Sequence, residues 1–136
     1  ADMAAELAKY LRGEGDITYS TNNGLIEVLP SGFSKATGVE EVATPLGLTA
    51  ADIISFGDMP NDVSMLSWAG LGVAMGNAHP DAVAAAEEAE IIKALASAHG
   101  VKLNAAKRLS ISRAQLYEKL AAHGLLSEDP EKKEAV

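Results

Sequence analysis

Apolar residues recur along the chain at changing spacings, and each spacing predicts an element. In "DMAAELAKYLRG", Met3, Leu7, Tyr10 and Leu11 share one helical face, and Gly13 is placed to end that helix. "DITYS" and "LIEVL" alternate as strands do, and "TNNG" between them supplies the Asn-Gly signal of a hairpin turn. "SKATGVEEVATPLG" reads as a helix with Ser34 at its N-cap. Pro45 should end or kink it, because proline lacks an amide proton and clashes with the preceding turn. "DIISF" is almost wholly apolar, which predicts a strand buried on both faces. A brief helix over "NDVSMLSWA", a second apolar run "LGVAM" and a helix beginning near Pro80 follow. Strand, helix and strand with short loops predict a parallel crossover unit of an α/β sheet.

From Asp81 to Ala98 there is no glycine or proline, so one helix can serve two modules. Ile91, Ile92 and Leu95 continue it at helical spacing until Gly100 breaks it. "NAAKRL" then predicts a short helix, "SIS" a turn, and "RAQLYEKLAAHG" a second helix ending at Gly124. Ala105, Leu109, Ile111, Leu116 and Leu120 supply the small and apolar positions that pack two helices around a tight turn. Ser112 is a natural N-cap, and its helix should project Arg113, Gln115, Tyr117 and Lys119 outward. Such a pair is either a helix-turn-helix, whose second helix enters the major groove, or a plain helical hairpin with a solvated basic face.

Charge sharpens the division. The 136 residues carry a net −8, but residues 1–89 hold 3 basic and 13 acidic side chains whereas residues 90–126 hold 6 and 2. Two modules with different partners are expected, the second able to approach a polyanion. With 4% aromatic residues, the core must rest on Ala, Leu, Ile and Val. No apolar run approaches the ~20 residues of a membrane helix, so no membrane partner is expected. Zero cysteines exclude disulfides and thiolate metal sites and fit a cytoplasmic protein. "SEDPEKKEAV", residues 127–136, reads as a solvated, disordered tail.

The chemistry concentrates in "FGDMPNDVSML". Ligands of open parallel sheets bind at the carboxyl ends of strands, where Gly57 and Asp58 would lie after "IISF". Asp58 and Asp62 offer hard oxygen donors, and Mg²⁺ takes one or two carboxylates with water and phosphate. Asn61 could donate to a phosphate oxygen or orient an aspartate, and Lys35 could neutralise a phosphate. The bland alternative is a turn with a helix cap, and a lysine that is only a solvated charge. His79, His99 and His123 are scattered and form no ligand pattern, and Trp68 and Met65 read as core.

Together, "STNNGLIEVLPSGFSKATGVEEVA" and "GDMPNDVSMLSWAGLGVAMGNAHPDAV" resemble the carboxyl-terminal half of haloacid dehalogenase superfamily phosphatases of the sugar-phosphatase type. The resemblance implies an α/β fold: a partial Rossmannoid parallel sheet with a remnant of the cap. Residues 1–29 would end the cap and 30–88 form the second half of the core. It also implies Mg²⁺-dependent hydrolysis of a phosphorylated small molecule. Asp58 and Asp62 match the metal-site aspartates, Lys35 the phosphate-neutralising lysine and Asn61 a substrate-contacting position. Pro45 departs from the family pattern. The family's nucleophile lies in a D-x-D-G-T/S strand-loop, and no D-x-D occurs in these residues. No activity is therefore expected of this chain alone, and a sheet half covered should self-associate.

"NAAKRLSISRAQLYEKLAAHGL" resembles the DNA-binding helices of the factor for inversion stimulation family. This implies an all-α helix-turn-helix over residues 89–126, with Ser112, Arg113, Gln115 and Lys119 facing duplex DNA and Lys102 near a phosphate. Ser110 stands where that family has glycine, and Val101 replaces a polar helix-start residue. Three functions stay open: a phosphatase half, a DNA-binding regulator on a phosphatase-like scaffold, and a chimeric or fragmentary chain.

Overall fold

The computed structural model describes residues 3–21 and 23–126. The tail expected over 127–136 and Asn22 of the turn signal lie outside the described residues. The chain divides into two compact units, Ala1–Ala89 and Glu90–Val136.

In the first unit, helix α1 (Met3–Leu11) leads into an antiparallel hairpin of β1 (Gly15–Tyr19) and β2 (Ile26–Pro30). The expected face of α1 is not a buried one: Met3 and Tyr10 are exposed, and no residue of the helix is buried. Helix α2 (Lys35–Ala43) begins at Ser34, as expected. The Ser34 hydroxyl accepts from the Thr37 amide at 3.3 Å while the Thr37 hydroxyl accepts from the Ser34 amide at 2.9 Å. This reciprocal cap satisfies two donors that a helix start otherwise leaves orphaned. Pro45 does end the α-helix, standing in a 3-10 turn over Thr44–Leu46.

Strands β3 (Ile54–Gly57) and β4 (Leu71–Ala74) pair in parallel through helix α3 (Val63–Trp68). The expectation that "DIISF" is buried on both faces is wrong for one of them. Ser55 and Gly57 are buried, but Ile54 and Phe56 are 60% and 62% exposed. The two-residue period of the strand sends alternate side chains to opposite faces, and α3 covers the face that holds Ser55. Ser55 Oγ donates to the Met65 carbonyl of α3 at 3.2 Å, and a Cβ on Gly72 would run into the Leu66 carbonyl. Small residues thus let α3 sit close, and the large apolar ones point the other way. The buried apolar side chains described in this unit are Leu66 and alanines, so its core is thin.

Helix α4 (Pro80–Ser97) runs unbroken, as the lack of glycine and proline predicts. His99 and Gly100, both with positive φ, end it. In the second unit, α5 (Lys102–Arg108) and α6 (Arg113–Ala122) close a core of Ile91, Ala94, Ala98, Ala105, Ala106, Leu116 and Leu120. Leu109 and Ile111 pack against it, so every core position expected there is found. Ser110 takes φ 56°, the left-handed turn conformation that favours glycine. Val101 offers α5 no side-chain cap.

Candidate functional site

The parallel pair ends at Gly57, and the chain turns there through a 3-10 segment, Pro60–Asp62. Asp62 folds back under the strand end. Its Oδ2 accepts from the amides of Asp58 at 2.9 Å and Met59 at 3.1 Å, and its Oδ1 accepts from Lys35 Nζ. The Asp62 side chain is 7% exposed. Gly57 makes room for it, because a Cβ at that position would stand 2.5 Å from the Asp62 Cβ. Burial alone would raise the Asp62 carboxyl. The Lys35 hydrogen bond, the Met59 and Asp58 amides and the Lys35 charge outweigh it and hold the carboxyl below the ordinary aspartate range.

Asp58 is different. Among the described residues its carboxylate has no hydrogen bond or ion pair; its carbonyl accepts from the His79 amide at 2.7 Å. One aspartate is therefore fully engaged by the protein and the other presents a half-exposed carboxylate at the strand end.

A cleft of about 990 Å³ adjoins this turn, lined by Lys35, Asn61, Ser34 and the hairpin residues Asp16, Thr18 and Glu27. Asn61 Nδ2 donates to Glu27 Oε2 at 3.1 Å, tying β2 to the turn, while Asn61 Oδ1 is buried without a partner among the described residues. Structure thus brings Lys35, Asn61 and Asp62 together around one turn, with Asp58 beside them. Glu27 was missed from sequence. The available signal was an acidic residue inside the alternating run "LIEVL".

For a divalent cation the donor set fits in part. Asp58 is an available hard ligand and Asp62 is ordered beside it, but among the described residues no group of three or more His, Cys, Asp or Glu could hold a metal. Mg²⁺ accepts that few protein carboxylates when water and phosphate complete the shell.

A family model for haloacid dehalogenase-like hydrolases matches residues 1–102. The chain belongs to that family. HMP-PP phosphatase from Yersinia pseudotuberculosis is 43% identical over 79 residues, covering 58% of this chain and 29% of that protein. The same protein from Yersinia pestis is equally similar. This family member therefore spans about three-tenths of the length of the curated relatives it matches. Among solved structures, a HAD subclass IIB sugar phosphatase aligns with a TM-score of 0.55 and 31% identity, over 72% of this chain and 41% of that one. A HAD superfamily phosphatase from Bacteroides thetaiotaomicron aligns with a TM-score of 0.53 and 30% identity, over 73% and 39%.

A second model, for bacterial regulatory proteins of the Fis family, matches residues 82–123. There the Ser112 hydroxyl accepts from the Gln115 amide at 3.1 Å and Gln115 Oε1 accepts from the Ser112 amide at 2.9 Å. These two side chains, expected to face DNA, cap α6 first. Arg113 and Gln115 are exposed; Tyr117 and Lys119, expected outward, are half-buried. Lys102, at the start of α5, lies over the Tyr117 ring. No helix among the described residues is long and apolar enough to cross a membrane.

Proposed function

We propose that the first unit carries the metal- and phosphate-binding half of a Mg²⁺-dependent phosphomonoester hydrolase site, of a cytoplasmic protein. The observation that carries this reading is the Lys35–Asp62 pair locked under Gly57, with the Asp58 carboxylate left available beside it. Asp58 would hold Mg²⁺, Asp62 would order the turn, and Lys35 with Asn61 would meet the phosphate. The bound cation would polarise a phosphoryl oxygen and screen its charge. Lys35 places a cation on the same side, and the Asp62 carboxylate keeps that lysine pointed at the turn. The similarity to phosphatases supports a phosphorylated small molecule as substrate.

Titrating the chain with Mg²⁺ should shift the amide NMR signals of Gly57, Asp58 and Met59 with an affinity no tighter than about millimolar, since one available carboxylate makes a weak site. Asp58→Asn should abolish the shifts and leave the spectrum otherwise intact. Unchanged titration of that variant would sink the assignment.

The same reading extends to assembly. Ile54 and Phe56 expose an apolar face, and β3 is paired on one edge only among the described residues, features that favour self-association. Sedimentation velocity should find dimers or larger species that Phe56→Ser shifts toward monomer; a monodisperse wild-type monomer would refute it.

A second reading is favoured by the Fis-family match and the local charge. Residues 90–126 would bind duplex DNA through α6, weakly, because their +4 is opposed by the −10 of residues 1–89. In fluorescence anisotropy the segment alone should bind better than the whole chain, and salt should weaken both. Arg113→Ala should cost roughly tenfold, the loss of a phosphate or base contact. A segment without salt-sensitive binding is a plain helical hairpin.

A further inference from the structure

The cleft beside the metal turn carries charge of opposite sign on its two walls. Among the described residues that line it, Lys35 is basic and Asp16 and Glu27 are acidic. Lys35 opens α2, whereas the two carboxylates stand on the hairpin. Glu27 is directly opposite Thr18 in the antiparallel register, and Asp16, two residues before Thr18, shares that face. The carboxylates differ in what they already hold. Asp16 accepts from the Gly32 amide at 3.1 Å and the Ser31 hydroxyl at 3.4 Å, which fixes the turn after β2. Glu27 accepts from Asn61 at Oε2, and its Oε1 has no partner among the described residues.

A second observation points the same way. Two atoms of cleft residues, Asn61 Oδ1 and Ser64 Oγ, are buried without a partner among the described residues. An amide oxygen can only accept, and a phosphate dianion offers only acceptors, so phosphate cannot satisfy it. Leaving a buried acceptor unpaired is costly, and a ligand that brings donors relieves that cost.

We propose that the cleft takes an organic phosphate that also bears an ammonium group, with the phosphate at Lys35 and the ammonium at Glu27. The proposal rests on the phosphatase reading of this unit and names the substrate class of that same site. An ammonium brings positive charge to the Glu27 carboxylate and N–H donors to the oxygens of the hairpin wall. A hydroxyl in its place brings one donor and no charge, and charge-assisted hydrogen bonds are the stronger kind.

The test titrates the ¹⁵N-labelled whole chain, in Mg²⁺, with two matched pairs of ligands. Glucosamine 6-phosphate is set against glucose 6-phosphate, and phosphoethanolamine against 2-hydroxyethyl phosphate. In at least one pair the amine should bind about threefold to tenfold tighter, the range of a partly exposed ion pair. Glu27→Gln, whose amide oxygen can still accept from Asn61, should bring that ratio to one. Thr18→Lys, which sets a cation across the ladder from Glu27, should do the same and decides the matter if Glu27→Gln fails to fold. Glu41→Gln, at an exposed position of α2 outside the cleft lining, should keep the full preference. Lys35→Gln should weaken both members of a pair alike. If both members bind through Lys35 without preference, the ammonium subsite is wrong and the phosphatase reading stands. A preference that survives Glu27→Gln, or that Glu41→Gln also removes, reflects the overall negative charge and overturns the subsite as well. If no phosphate ligand binds, the subsite and the phosphatase reading fall together.

Discussion

With Mg²⁺ present, the 136-residue chain alone should hydrolyse p-nitrophenyl phosphate no faster than buffer containing Mg²⁺. Lys35 and a cation at Asp58 can draw electron density from the phosphorus, but they do not attack it. In the haloacid dehalogenase resemblance that task belongs to an aspartate of D-x-D, a spacing absent from these residues. A carboxylate nucleophile divides a difficult displacement into two easier ones, and without it the barrier returns. Ordinary enzymes turn over at about 10 s⁻¹, so a rate below roughly 10⁻³ s⁻¹ corresponds to more than about 5 kcal/mol of lost stabilisation. Robust turnover that Asp58→Ala abolishes would overturn this and require another carboxylate to act as nucleophile. Asp16 and Glu27, which line the cleft, would be the first to replace.

Removing Asp62 should strongly destabilise the first unit. Asp62→Ala strips the acceptor from two amides and the partner from Lys35 in a site 7% exposed at the carboxylate. Orphaned donors cost about 1–3 kcal/mol each, and solvent relieves part of that for the half-exposed Lys35, so a loss of about 3 kcal/mol is expected. For a unit of this size total stability is on the order of 4–13 kcal/mol, and its thin alanine core places it near the low end. Asp58→Ala should change stability by less than about 0.5 kcal/mol, because among the described residues its carboxylate holds no partner.

Urea unfolding followed by the fluorescence of Trp68, the one tryptophan of the chain, reads this unit directly. Equal midpoints for Asp62→Ala and wild type would refute the role given to the turn. Acid provides an independent check. The folded carboxyl is held below its unfolded value, so its contribution is complete above the ordinary aspartate range and is lost as pH falls through the folded value. Stability should be flat with respect to this group from pH 7 to 5 and decline below about 4, and Asp62→Asn should flatten that decline.

Local chemistry was legible in the sequence wherever neighbours in the chain settle it. Ser34 and Ser112 cap the helices they precede, since a cap needs only a hydroxyl and an amide a few residues on. Pro45 ends α2 for the same local reason. The helix-turn-helix core was legible because helical periodicity and a short turn determine which residues meet. The family, too, was legible, because "GDMPND" and "SGFSK" are dense and specific.

Tertiary structure decided what depends on residues distant in the chain. Periodicity cannot tell a strand covered on both faces from one covered on a single face, and only the placement of α3 shows Ile54 and Phe56 to be exposed. Nor could spacing distinguish the two aspartates, four positions apart in one motif. Lys35, 27 positions before Asp62, reaches that carboxylate and leaves Asp58 available. Glu27 meets Asn61 across 34 positions, and Lys102 of α5 lies over the Tyr117 ring of α6. Hydrogen bonds and ion pairs act over a few ångströms, so their partners emerge only when the chain has folded back on itself.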